Sequence, residues 1–268
     1  MGLISESELA EYDAVPVERR AVWEQADLLE RSRGRVLEAG AGVRTSGDQN
    51  AVSKHVNRFR SLLAFDLATG VRLIAGADEA GRACLAGPLV AAACLFDWKS
   101  LNYSELDRLD RLRDSKRVTQ ARRLELRAVI RELAVNVTVS VISPDEIDRD
   151  GLDVSNRRAL REAVSQLEPA PEVCFTDWYV VPECRYTTTA LEGGDNTSAA
   201  VAAASIIAKT TRDGMMAAFA DEYPGYGFER HKGYINETHV DAIRRLGITP
   251  QHRRSFDAAI YREIGLRR

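Results

Sequence analysis

The sequence has no long hydrophobic run. Its longest apolar stretch, Ala199 to Ala208, is interrupted by Ser205 and falls well short of the roughly 20 residues that a bilayer-spanning helix needs. No transmembrane helix and no membrane partner are expected. The first residues, MGLISESELAEYD, are acidic and lack the basic start and apolar stretch of a secretory signal, so a cytoplasmic location is expected. Cysteine is scarce: Cys84, Cys94, Cys174 and Cys184 form no CxxC pair. Three of them sit beside Val, Leu or Phe, which favours buried reduced thiols over a zinc site or disulfides. A positive net charge is also missing; the value of −3, taken alone, leans against a nucleic-acid partner.

What is present describes an ordinary soluble globular protein, 45% hydrophobic and 29% charged. A length of 268 residues allows one sizeable core and a modest extra unit, with a monomer as the default state. The charge is unevenly spread. From Arg230 onward the chain concentrates Lys232, Arg244, Arg245, Arg253, Arg254, Arg262, Arg267 and Arg268, with His231, His239 and His252 interleaved. A basic face that follows a phosphate backbone and a solvated helix surface fit this equally well.

Residues 1–70 hold Glu/Arg-rich stretches such as VERRAVWEQADLLERSRGRVLEAG and a polar break at Gly42 to Asn50, which fits a small helical N-terminal extension. From Val71 the pattern alternates. VRLIAGADEA and LVAAACLF read as adjoining strands; RVTQARRLELRAVIRELA reads as a helix with Thr119 as N-cap. VNVTVSVI sets Val135, Val137, Val139 and Val141 on one face against Asn136, Thr138 and Ser140 on the other, the period of a half-buried strand. Ser143-Pro144-Asp145-Glu146 opens a helix with a capping box. SNRRALREAVSQL is an amphipathic helix, VCFTDWYVV an apolar strand with Asp177 in its middle, and SAAVAAASIIAKTTRD a helix apolar enough all round to be buried. This order predicts an α/β domain over residues 71–268.

The chemistry concentrates in acids that stand in apolar surroundings. Asp78 and Glu79 end the strand before a glycine-bearing turn, and Asp177 interrupts another strand. A buried carboxylate needs a cation, a hydrogen-bond network or a proton, and one divalent ion would serve all three. Neighbouring strand residues point to opposite faces, so Asp78 and Glu79 share an ion only if the backbone bends or Glu79 lends its carbonyl. Asp195, in EGGDNTS, would add a fourth carboxylate, although an Asp before a helix is more often a cap. Oxygen ligands suit Mg²⁺ or Mn²⁺. Spacing alone thus indicates a carboxylate metal site suited to phosphoryl transfer, without naming a substrate.

Six blocks carry a resemblance: DEAGR with LAGPLVAAA, LRDSKRVTQARR, FTDWYV, GGDNTSAAVAAASIIAKTTRD, YGFERHKGY and HRRSF. In content and order they resemble ribonuclease HII. The resemblance implies a ribonuclease H-like mixed five-stranded sheet flanked by helices, with a C-terminal helical region. It implies that Asp78, Glu79, Asp177 and Asp195 are the catalytic acids and hold two divalent ions. It implies an endonuclease that acts on RNA/DNA hybrids and on ribonucleotide-containing duplex DNA, incising 5′ of the ribonucleotide. Gly81, Arg82 and Ala83 match the turn that reads the ribose 2′-hydroxyl. Tyr234, otherwise a plain core or surface aromatic, matches the residue that stacks on the following deoxyribose. Ser115, Lys116, Lys209, His231 and Lys232 then face phosphates or support those that do.

Two motifs depart from the family pattern. Ala83 stands where the turn usually has a second glycine, with Cys84 after it in place of Pro, and Gly193 stands where the loop before Gly194-Asp195 usually has lysine. The alternative reading is a catalytically weakened nucleic-acid-binding homologue. A ribonuclease requiring a run of ribonucleotides is disfavoured by Arg82 and Tyr234, and a small-molecule phosphatase by the basic C-terminal segment.

Overall fold

The structure, a computed structural model, describes residues 58–112 and 118–266. Most of the expected N-terminal extension, together with Ser115 and Lys116, lies outside the described residues. Five strands form one sheet in the order β3-β2-β1-β4-β5. They are β1 (Ile74–Ala80), β2 (Leu89–Phe96), β3 (Asn136–Ile142), β4 (Val173–Asp177) and β5 (Thr188–Leu191). β1, β2 and β3 pair antiparallel, while β4 runs parallel to β1 and to β5. The expected mixed sheet is therefore present; its short fifth strand had no distinct sequence signal.

Helices cover both faces. A helix α1 spans 58–67, and α2 (Tyr103–Asp107) and α3 (Gln120–Leu133) follow. Thr119 caps α3 by accepting from the Arg122 amide. α4 (Pro144–Asp150) starts with the expected reciprocal bonds between Ser143 and Glu146. Gly151, at φ 84°, separates it from α5 (Leu152–Ser165). Then come α6 (Ala199–Glu222), α7 (Phe228–His231), α8 (Glu237–Leu246) and α9 (Ala259–Glu263).

Strand periodicity divides the core in two. Ile74, Ala92, Cys94 and Phe96 pack with Phe59, Leu62, Leu63, Leu126, Ile130 and the alanines of α6. Ala75, Ala77, Leu89, Ala91, Ala93 and Leu95 pack with Ala159, Leu160, Ala163 and Val164 of α5. The spacing 59, 62, 63 places one face of α1 in the first of these clusters, and Asp66 on that face accepts from Trp98 Nε1 and the Ala200 amide, both at 2.9 Å. The start of α6 presses on β1 so closely that a Cβ at Gly76 would stand 2.1 Å from the Val201 nitrogen. Small residues on both elements permit that approach, and it sets the helix beside the strand that carries Asp78. All four cysteines are free, and only Cys184 is not fully buried.

Two expectations are revised. Asp177 ends β4 instead of sitting in mid-strand, because Trp178 turns into the left-handed region at φ 61°. The polar face of β3 is not the wet one: Thr138 Oγ1 donates to the Ala163 carbonyl and Ser140 Oγ to Glu162, both at 2.6 Å under α5, whereas Val141 is exposed. Hydrogen bonds to the covering helix make those polar residues compatible with burial. An alternative left open is also decided: among the described residues the C-terminal cations do not form one basic face. Arg244 pairs with Glu263 and Asp241, and Arg262 with Asp257, while Arg253 and the three histidines are buried.

Candidate active site

β1 and β4 run parallel with Ala77 opposite Thr176, so their next residues, Asp78 and Asp177, reach the same end of the sheet. Asp78 lies on the α6 side, where Ser205 bonds it, and Glu79 on the α5 side near Asn156. Asp78 Oδ1 also accepts from the Glu79 amide at 2.7 Å. Asp177 Oδ1 accepts from the Gly194 amide at 2.6 Å, which ties the end of β4 to the 3-10 turn Gly194–Asn196. That turn presents the buried Asp195, whose Oδ1 accepts from Asn196 Nδ2 at 2.8 Å.

Asp78 and Glu79 are held away from their ordinary titration. Burial, then Glu79 and Asp177, push the Asp78 carboxyl well above its ordinary value. Burial and Asp177 push Glu79 up to about 7, against the opposing pull of Arg82. Glu79 Oε2 is buried and accepts no hydrogen bond. Among the described residues no three acid, histidine or cysteine side chains are drawn into a closed metal cage, as expected for like charges in low dielectric. An orphaned carboxylate oxygen within a mutually repelling set of acids nevertheless fits a hard divalent cation, which would supply the missing charge.

Beside the acids, the chain turns at Gly81, φ 94°. Arg82 bonds Asp153 at 2.8 Å and lies over the Tyr179 ring at 5.0 Å. Ala83 is exposed, and among the described residues the positive-φ non-glycine residues are Trp178, Glu183 and Lys232. Ala83 is not among them, so its methyl brings no left-handed strain; the position that needs glycine is Gly81. Arg58 of α1 donates to the Asn196 carbonyl at 2.8 Å and to Asn196 Oδ1 at 3.1 Å. A cation therefore stands at the loop whose lysine is replaced by Gly193.

The second arm is the segment after α7. Tyr234 is 43% exposed, with Lys209 Nζ 5.8 Å from its ring centre. Lys209 bonds Asp213 at 2.8 Å, and Lys232 Nζ donates to the Asp213 carbonyl at 3.4 Å. His231 is buried, with Nε2 on the Tyr226 carbonyl and Nδ1 accepting from the Gly233 amide; this is the geometry of support. The Thr249 amide donates to His252 Nδ1, so a neutral His252 carries its proton on Nε2 and donates to His239 Nε2, 3.1 Å away. His239 Nδ1 then donates to the Tyr234 carbonyl at 3.0 Å. Burial pushes His239 down to about 4 and His252 to about 3, so the relay is neutral near pH 7.

Sequence reasoning brought Asp78, Glu79, Asp177, Asp195, Gly81, Arg82, Ala83, Lys209, His231, Lys232 and Tyr234 to notice. It missed Arg58, Asn156, Trp178 and Arg212. Trp178 is 59% exposed in a strained backbone directly after Asp177, and strain beside an acid is a functional signal that only the tertiary structure displays.

The five-stranded arrangement is that of the ribonuclease H class. The ribonuclease H2 structure from Pyrococcus horikoshii OT3 aligns with a TM-score of 0.61 at 26% identity, covering 72% of this chain and 96% of the other. The sequence profile of ribonuclease HII matches residues 75–259. The ribonuclease HII of Nocardia farcinica is 42% identical over 225 residues, 84% of this chain and 87% of that protein. That of Geobacillus kaustophilus is 45% identical over 202 residues, 74% and 75%. The chain belongs to the ribonuclease HII family and is a ribonuclease.

Proposed function

We propose that this ribonuclease cleaves the RNA strand of RNA/DNA hybrids and incises duplex DNA on the 5′ side of an embedded ribonucleotide, leaving a 3′-hydroxyl and a 5′-phosphate. The observation that carries this reading is the juxtaposition at one sheet end: four acids, one with an orphaned buried oxygen, beside a glycine turn linked to an exposed tyrosine. Asp78, Glu79, Asp177 and Asp195 would hold two ions, Mg²⁺ or Mn²⁺. Bound there, the ions supply charge stabilisation at the phosphate and lower the pKa of a coordinated water.

The chain's own residues do the rest. The Gly81–Ala83 turn offers backbone close to a ribose, and the 2′-hydroxyl distinguishes RNA from DNA. Tyr234 offers a ring face to the deoxyribose that follows, and Arg82, Lys209 and Lys232 orient the flanking phosphates. Among the described residues no helix is long and apolar enough to cross a membrane.

The test is cleavage of a labelled DNA duplex bearing one ribonucleotide, with Mg²⁺, Mn²⁺ or EDTA, beside an all-DNA duplex and an RNA/DNA hybrid. Incision 5′ of the ribonucleotide that EDTA abolishes is expected, with the all-DNA duplex intact. Binding without cleavage under either metal would overturn the reading in favour of a weakened homologue.

A further inference from the structure

Arg212 lies inside α6 with no solvent exposure, and among the described residues no carboxylate pairs with it. Burial of an uncompensated guanidinium is costly unless every donor is used well. Here all three nitrogens donate to backbone carbonyls. Nε bonds Pro88 at 2.9 Å, Nη2 bonds Ala86 at 2.9 Å, and Nη1 bonds Lys232 at 2.8 Å. The first two carbonyls belong to the segment that leaves the Gly81–Ala83 turn; the third lies two residues before Tyr234.

Three glycines make room for this side chain. A Cβ at Gly81 would stand 2.0 Å from Arg212 Nε, one at Gly87 3.1 Å from Nη2, and one at Gly233 3.3 Å from Nη2 and 2.1 Å from the Ala86 carbonyl oxygen. The Leu85 amide also bonds the Gly233 carbonyl at 2.9 Å. Arg253 fixes the turn segment alone, through the carbonyls of Gly87 and Arg82. Arg212 is thus the guanidinium that holds both arms in one rigid fork.

We propose that Arg212 is a positioning residue for substrate selectivity: by joining the 86–88 segment to the 232–234 segment, it sets the spacing between the ribose-reading turn and Tyr234. The inference rests on the roles given to those two arms above. A planar fork with fixed donor directions can hold three carbonyls in register, which a rotatable ammonium cannot. The acids are held separately, so loss of the fork affects selectivity more than hydrolysis.

The test compares the native protein, Arg212→Lys, Tyr234→Ala and the double variant on a single-ribonucleotide duplex and an RNA/DNA hybrid, with kcat and KM for each. Small misplacements of positioning groups cost up to about a hundredfold. Arg212→Lys is therefore expected to lower the single-ribonucleotide to hybrid ratio of kcat/KM by about tenfold or more, with hybrid cleavage within about threefold of native. In the Tyr234→Ala background the same change is expected to lower the ratio by less than about twofold, since coupled residues are not additive.

An unchanged ratio in Arg212→Lys while Tyr234→Ala loses it overturns the inference alone, as does an equal loss on both substrates or a fully additive double variant. An unchanged ratio in Tyr234→Ala overturns the underlying reading of that residue, and the inference with it. Should Arg212→Lys melt below the assay temperature, all four proteins are compared at a temperature below its Tm under the same criteria.

Discussion

The acids at the end of β1 and β4 and the two arms beside them are built on opposite terms. Burial, Glu79 and Asp177 raise the pKa of Asp78, burial and Asp177 raise that of Glu79, and Glu79 Oε2 has no hydrogen bond. In the arms, Arg212 and Arg253 bond five neighbouring carbonyls, His252 and His239 form a relay to the Tyr234 carbonyl, and both ring nitrogens of His231 are bonded to backbone. Buried like charges are stable only with a counter-ion, whereas a saturated network is stable by itself. The difference teaches that the acid end leaves one buried carboxylate oxygen without a hydrogen bond while the arms bond their buried groups to backbone. In the proposed reading, catalytic charge is held ready while recognition geometry is held still.

The comparison breaks most visibly at Asp78. Asp78→Asn is expected to lower cleavage by at least about 10³-fold, about 4 kcal/mol of transition-state stabilisation. Without divalent ions, the same variant is expected to melt higher than the native protein by about 1 kcal/mol, because it relieves repulsion between buried acids. Calorimetry in EDTA reads the second effect, and a lower Tm there would refute the view of the acids as a repelling set. Mg²⁺ is expected to raise the native Tm by about 2.7 kcal/mol equivalent at a hundred times its Kd, and this shift should be absent or much reduced in Asp78→Asn.

At the recognition end, Tyr234→Ala is expected to cost about 1–3 kcal/mol in kcat/KM on the single-ribonucleotide duplex, the range for lost stacking on an aromatic ring. Its Tm should stay within about 0.5 kcal/mol equivalent of native, as for exposed side chains generally. A large fall in Tm would make Tyr234 a packing residue instead.

Asp66 is a buried acid outside the set of four, bonded to Trp98 and to the start of α6, and it separates burial from catalysis. Its pKa is raised from 3.8 to about 7, chiefly by burial. The folded state therefore binds the extra proton between those values, and stability falls as pH rises through that window. Asp66→Asn is expected to flatten stability against pH from about 4 to about 7 and to gain about 1 kcal/mol at pH 7. A slope unchanged in denaturant titrations at both pH values would refute it. The smallest effect is expected at Ala83. With no left-handed strain to relieve, Ala83→Gly should change kcat/KM by less than about twofold, within the usual range for surface substitutions.

Much of this was legible in the residues. Ser143-Pro144-Asp145-Glu146 announced its helix start, and Thr119 its cap, because such bonds are local. Carboxylates amid apolar residues marked Asp78, Glu79 and Asp177 as costly, because burial of charge is a property of type and context. β5 was not legible, since four residues of Thr, Ala and Leu carry no period of their own. The position of Asp177 was misjudged because strand termination depends on the left-handed turn at Trp178. The polar face of β3 was misjudged because α5 supplies its hydrogen-bond partners from more than 20 residues away along the chain.

By itself, the sequence determined the α/β class, the buried thiols, the helix starts and the costly acids Asp78, Glu79 and Asp177, all of which follow from periodicity, capping and the cost of desolvation. The tertiary structure alone decided which cations face solvent and which are clamped, that Arg58 reaches the loop beside Asp195, and that Arg212 joins two segments far from it in sequence. Those are long-range contacts between charged side chains and backbone carbonyls. Every residue offers the same carbonyl, so nothing in the order of amino acids marks which ones a buried guanidinium will find.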